Sequence, residues 1–160
     1  MSVAFVREES AALAAEVELP ARPISPHPNL VTPSGLAALN AAMAEARAAL
    51  EAAQGIGDLD ERRRPASPAL RDVHYFAERL AGAQVMPPPA SQACVAFGSR
   101  VAFRRGDGRR QAFTIVGEDE ADPRNGTVSY VSPLARALLG KSVGDTVALG
   151  GQGIELVEIA

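Results

Sequence analysis

Cysteine, tryptophan, histidine and lysine are nearly missing from this 160-residue chain, and each scarcity removes a class of function. The single cysteine, Cys94, excludes an intrachain disulfide and gives no sign of an oxidising compartment; free cysteine of this kind is read as a small, half-buried residue at a strand start. His27 and His74, the only histidines, have no cysteine or second histidine at ligand spacing, so a metal site of the chain's own is not expected. Aromatics make up 4% of the residues, too few to line a proline pocket, which argues against a prolyl isomerase. No run approaches eighteen apolar residues, and the N-terminus MSVAFVREES lacks a basic stretch followed by an apolar one. A cytoplasmic protein with no membrane contact is expected. Excess charge of one sign is also missing: sixteen basic and nineteen acidic residues give a net charge of −3. Residues 87–160 hold eight of each sign and 32–86 hold six and seven, so no segment is a phosphate track and no specific DNA sequence is expected as a partner.

What is present divides the chain into four parts. Residues 1–31 carry prolines at 20, 23, 26 and 28, which block a helix and favour an extended, flexible arm. At TPSG, Thr32 is a helix cap with Pro33 in the first turn, where its missing N–H is harmless. Leu36, Leu39, Met43, Ala46, Leu50 and Ala53 then alternate at spacings of three and four, predicting a helix over 33–54 stopped by Gly55 and Gly57. A second helix is predicted from Pro68 to about Gln84, with Ala69, Val73, Phe76, Leu80 and Ala83 as its stripe. Each stripe needs the other, so 32–86 reads as an antiparallel helical hairpin, a short coiled coil. MPPPA opens a stiff spacer over 87–94.

From Val95 the period falls to two. VAFGSRVAFRR and RRQAFTIVG flank a GDG turn, with Val101 and Phe103 facing the same way as Phe113 and Ile115. TVSYVS continues as a strand. SPLARALLG is a short helix capped by Ser132, entered through Pro133 and ended by Gly140. DTVALGGQGIELVEI supplies two more strands around a glycine turn. The fold class is α+β: a helical hairpin, then a small antiparallel sheet domain over 95–160 with one helix.

The stretches VAFGSRVAF, FTIVGEDEAD and SPLARALLGKSVGDTV, with TPSGLAAL, GDLDE and AQV upstream, resemble the GreA/GreB family of bacterial transcription elongation factors. The resemblance implies an FKBP-like C-terminal domain that docks at the rim of the secondary channel of RNA polymerase. It implies a coiled-coil finger entering that channel, close to nascent RNA, with tip carboxylates that help hold the polymerase's second magnesium ion during cleavage of backtracked RNA. Such a role asks no cofactor and no enzymatic activity of the chain itself. Carried onto this sequence, the tip pair is Asp58 and Glu61, three apart on one side of a helical turn. The docking candidates are Asp119, Glu120, Ser132 and Pro133. Capping alone also accounts for Ser132 and Pro133, and a solvated turn for Asp119 and Glu120.

At the tip the sequence departs from the family. RRRPAS follows GDLDE, and Pro65 disfavours helix at Arg64, which predicts that the carboxylates lie in a loop beside three competing guanidiniums. The first helix is also shorter than the family's by about a dozen residues, or roughly 18 Å of reach. A non-cleaving regulator of the channel therefore stands as an alternative, as does a short-hairpin regulator of nucleoside diphosphate kinase type.

Overall fold

The computed structural model describes residues 19–160. Asn29–Val31 forms strand β1, followed by helix α1 (Pro33–Gln54), helix α2 (Leu59–Ala81) and strand β2 (Ala83–Val85). β1 and β2 pair in parallel, Asn29 opposite Ala83 and Val31 opposite Val85. The chain thus leaves this ladder at Thr32 and returns to it at Gly82, after two helices of 22 and 23 residues. Matched lengths out and back make the antiparallel hairpin, and at 1.5 Å per residue each arm is about 33 Å long.

Leu39, Met43, Ala46 and Ala53 of the α1 stripe are buried, as the heptad pattern requires. The second helix differs from its prediction at both ends. It begins nine residues earlier, at Leu59, and runs through Pro65 and Pro68. Each proline removes one backbone donor, leaving the carbonyls of Glu61 and Arg64 without their usual helical partners. The helix is nonetheless capped by Asp58 at its start, and Ala69 further along is buried. At the other end the helix stops at Ala81, and Ala83 is part of β2 instead of the helical stripe.

Strands β3 (Arg100–Arg105), β4 (Arg110–Val116), β5 (Thr127–Ser129), β6 (Thr146–Leu149) and β7 (Gln152–Ile159) form one sheet in the order β5-β4-β3-β7-β6, with helix α3 (Pro133–Leu138) between β5 and β6. The β3–β4 hairpin matches its prediction, and Phe103 and Phe113 stack with ring centres 6.1 Å apart. Its turn is built by Asp107, whose Oδ1 accepts from the Arg109 N–H at 3.0 Å and whose Oδ2 accepts from the Arg109 guanidinium at 2.7 Å. The guanidinium bond, then the backbone bond, hold the Asp107 carboxyl below its ordinary range. Strand structure starts at Arg100 and not at Val95, because Gly98, at φ +87°, turns the chain just before it. Cys94, expected to be half-buried, is exposed in the bend that precedes.

The sheet is mixed, not antiparallel: β5 runs parallel to β4, with Thr114 opposite Thr127 and Val116 opposite Ser129. Val101, Phe103, Ile115, Leu138, Ile154 and Leu156 are fully buried in one core formed by the sheet and α3. Each is expected to contribute about 1.5–3 kcal/mol by leaving water.

The described chain forms two compact units, residues up to Ser25 with Leu39–Ala81, and Pro26–Ala38 with Gly82–Ala160. Residues 87–94 belong with the sheet unit, and so do β1 and the first turn of α1. Of the arm expected over 1–31, residues 1–18 lie outside the described residues. The remainder is engaged: Arg22 pairs with Asp72 at 3.1 Å and stacks 3.7 Å over the Tyr75 ring, while Asn29 is buried in β1.

Candidate functional site

The hairpin tip is ordered by backbone groups that helices leave unsatisfied. Asp58 caps α2: its Oδ1 accepts from the N–H groups of Asp60 and Glu61, both at 2.9 Å, and its carbonyl accepts from Arg62 N–H at 3.0 Å. Asp58, Asp60 and Glu61 accordingly stand at the start of a regular helix, where the dipole favours carboxylates, and not in a loop. The three arginines do not cover the pair. Arg62 donates from Nε to the Ile56 carbonyl at 2.8 Å, closing the connection between the helices. Arg63 lies 3.7 Å from Asp60, whose side chain is 92% exposed. Glu61 is exposed, and its carboxylate has no partner among the described residues. Asp58 keeps Oδ2 and Glu61 both oxygens for an incoming cation. No group of three or more metal-ligating side chains is assembled among the described residues, so the tip can donate ligands to a shared ion but does not form a cage.

The second set of candidates sits on the crossover from β4 to β5 and on the entry to α3. Because β4 and β5 are parallel neighbours, with Val116 opposite Ser129, the chain leaves both at the same end. The acidic turn 117–122 and the Ser132–Pro133 entry consequently emerge side by side. An antiparallel pairing would have sent them to opposite ends of the sheet. Ser132 caps α3, accepting from Ala135 N–H at 3.2 Å, and Pro133 occupies the first turn. Asp122 caps the short turn Pro123–Asn125, and the Thr127 hydroxyl accepts from Asp122 N–H at 2.7 Å.

Asp119 and Glu120, adjacent in sequence, differ in environment. Asp119 is exposed. Glu120 is half-buried and turned toward the first turn of α1, where its carboxylate accepts from Thr32 Oγ1 at 2.8 and 2.6 Å and from Ser34 Oγ at 2.7 Å. Thr32 Oγ1 in turn accepts from Gly35 N–H at 2.9 Å. The contact holds a negative charge at a helix N-terminus through two hydroxyls. Gly35 leaves room for it, since a Cβ there would overlap Glu120 Oε2 and displace that carboxylate. Gly117 serves the same junction, because a Cβ there would strike the Leu30 carbonyl of β1. Sequence reasoning found the cap at Thr32 and the acid at Glu120 but not that they meet, eighty-eight residues apart. The only signal was a threonine, a serine and a glycine within four residues.

Residues 90–159 match the family model described as "Transcription elongation factor, GreA/GreB, C-term". Over 152 residues, covering 81% of this chain and 95% of the relative, the chain is 34% identical to transcription elongation factor GreA of Psychrobacter sp.. The chain belongs to the GreA/GreB family of transcription elongation factors. It is also 41% identical over 92 residues to GreB of Neisseria meningitidis serogroup A, an alignment covering 56% of each protein, so it spans about half the length of that relative. Among solved structures it is similar to GreA factor homolog 1 (Gfh1) of Thermus thermophilus, at 23% identity over 84% of this chain and 99% of that one. The TM-score is 0.40.

Proposed function

We propose that this Gre-family chain binds bacterial RNA polymerase at the secondary channel and regulates elongation, with its hairpin as the inserted probe. Family membership supports the partner. Asp119, Ser132 and Pro133 are the docking residues, since they share one end of the sheet. Glu120 serves that surface by holding the first turn of α1.

The observation that carries an active tip is the exposed carboxylate pair at the N-terminus of α2, with the Glu61 carboxylate unpaired among the described residues. A two-metal hydrolysis needs oxygen ligands for its more weakly held ion, and Mg²⁺ prefers carboxylate and water. Asp58 Oδ2 and Glu61 would supply such ligands to an ion belonging to the polymerase, close to the nascent RNA. The test is a backtracked elongation complex mixed with the protein. Mg²⁺-dependent shortening of the RNA that disappears in Glu61→Gln supports the reading, and unshortened RNA with wild-type protein rejects cleavage.

One observation favours a second reading, in which the hairpin occupies the channel without cleaving. Asp58 Oδ1 already holds two backbone N–H groups, and each arm is only about 33 Å long. The alignment to the Psychrobacter protein fits a shortened chain, because its 152 positions exceed the 81% of this chain that takes part. Altered elongation rate without RNA shortening selects this version. Loss of binding in a pull-down with Asp119→Lys is expected under both.

A further inference from the structure

One face of α2 keeps apolar side chains exposed among the described residues. Ser67, Leu70, Arg71, His74 and Glu78 follow one another along it, and with residues 19–22 and Ile24 they line a groove of about 690 Å³. The far wall is fixed by Arg22, which stacks on Tyr75 and pairs with Asp72. Three large apolar side chains, Leu19, Ile24 and Leu70, each remain 44% exposed here. Their convergence on one groove is the pattern of a contact surface.

The charges on this face are unsatisfied in a specific way. Asp72 is shared by two guanidiniums, Arg22 at 3.1 Å and Arg71 at 3.5 Å, so one positive charge is left over on this face, where the Arg71 side chain is 32% exposed. Glu78 is exposed and has no partner among the described residues, and neither has His74. Arg71 and Glu78 are seven residues apart, hence on one stripe of the helix but separated by about 10.5 Å, too far to neutralise each other. A surface that complements this face presents an anion and a cation at that same spacing, in reverse order, flanked by apolar side chains. An antiparallel copy of α2 meets this requirement.

We propose that this face of α2 is a self-association surface on which a second copy of the chain packs its own α2 antiparallel, with Arg71 of each copy opposite Glu78 of the other. The two-fold axis passes near His74, and Leu70, Leu19 and Ile24 close over the contact. Such an interface is isologous and self-complementary. A strip of three helical turns is smaller than a standard interface, so the dimer forms in the micromolar range and exchanges readily.

The test is sedimentation velocity on the full chain from low micromolar to several hundred micromolar. A reversible monomer–dimer equilibrium is expected. Glu78→Arg, at an exposed and unpaired position, should weaken self-association by about tenfold or more, because both contacts become repulsive, and Arg71→Glu should do the same. The double variant R71E/E78R should restore the dimer. An equimolar mixture of the two single variants should yield a heterodimer, since opposite charges then meet at both contacts. Circular dichroism confirms that each variant is folded, and Glu78→Arg alone suffices should Arg71→Glu unfold. A chain that sediments as a monomer throughout, or a dimer indifferent to these reversals, overturns the proposal.

Discussion

At the level of single residues, Asp58 has two separable duties. Its side chain caps α2 and its charge is available at the tip. Asp58→Ala is expected to cost about 1 kcal/mol, read as a lowered midpoint in urea, whereas Asp58→Ser keeps most of that stability. Both remove the charge, so equal effects on RNA shortening with unequal effects on stability would separate cap from ligand. Gly117 gives a sharper case. Gly117→Ala brings its Cβ against backbone, not a movable side chain, and should destabilise by about 2 kcal/mol or more in the same measurement. At Gly35 the obstacle is the end of the Glu120 side chain, and the cost there is the displaced carboxylate.

Among elements, α2 is a helix held against its own composition. Pro65 is the seventh residue from its start, and Pro65→Ala restores a donor and removes a clash. The substitution is expected to raise stability by about 2 kcal/mol, seen as a higher thermal midpoint. The first turn of α1 and the acidic crossover should behave as one unit. In a double-mutant cycle, Thr32→Val and Glu120→Gln are expected to couple by on the order of 1 kcal/mol, and additive effects would deny the junction. The β3–β4 turn offers a titration. By nuclear magnetic resonance, Asp107 should titrate below the ordinary carboxyl value and return toward it in Arg109→Ala. A lowered folded-state value means that the bond contributes stability above the unfolded-state pKa and loses it as pH falls through the folded one. The group is fully exposed, so the change is confined to the turn.

For the molecule as a whole, the division into two units decides which pieces can be cut. Residues 26–38 belong with the sheet unit: β1 pairs with β2, Tyr130 donates its hydroxyl to the Pro28 carbonyl, and Thr32 meets Glu120. A fragment beginning at Gly82 leaves β2 unpaired and Gly117 uncovered. It is expected to melt at a lower temperature than the corresponding transition of the full chain, and a peptide of residues 26–38 added in excess should raise its midpoint. An unchanged midpoint on addition would show that the segment is dispensable.

The sequence by itself determined what local chemistry encodes. Ser132 and Pro133 announce α3, GDG announces the β3–β4 turn, and spacings of three and four announce α1, because caps, turns and amphipathic faces act over a few residues. The start of α2 departs from its prediction for the same reason: Pro65 argues locally against helix, yet the helix of 23 residues runs through it. The family was legible because its motifs are contiguous. Tertiary structure alone decided three things: that β5 lies parallel to β4, that Asn29–Val31 is a strand, and that Glu120 turns inward while Asp119 faces out. Each is a pairing between residues distant in the chain, and a backbone donor or a carboxylate carries no mark of which remote partner will satisfy it.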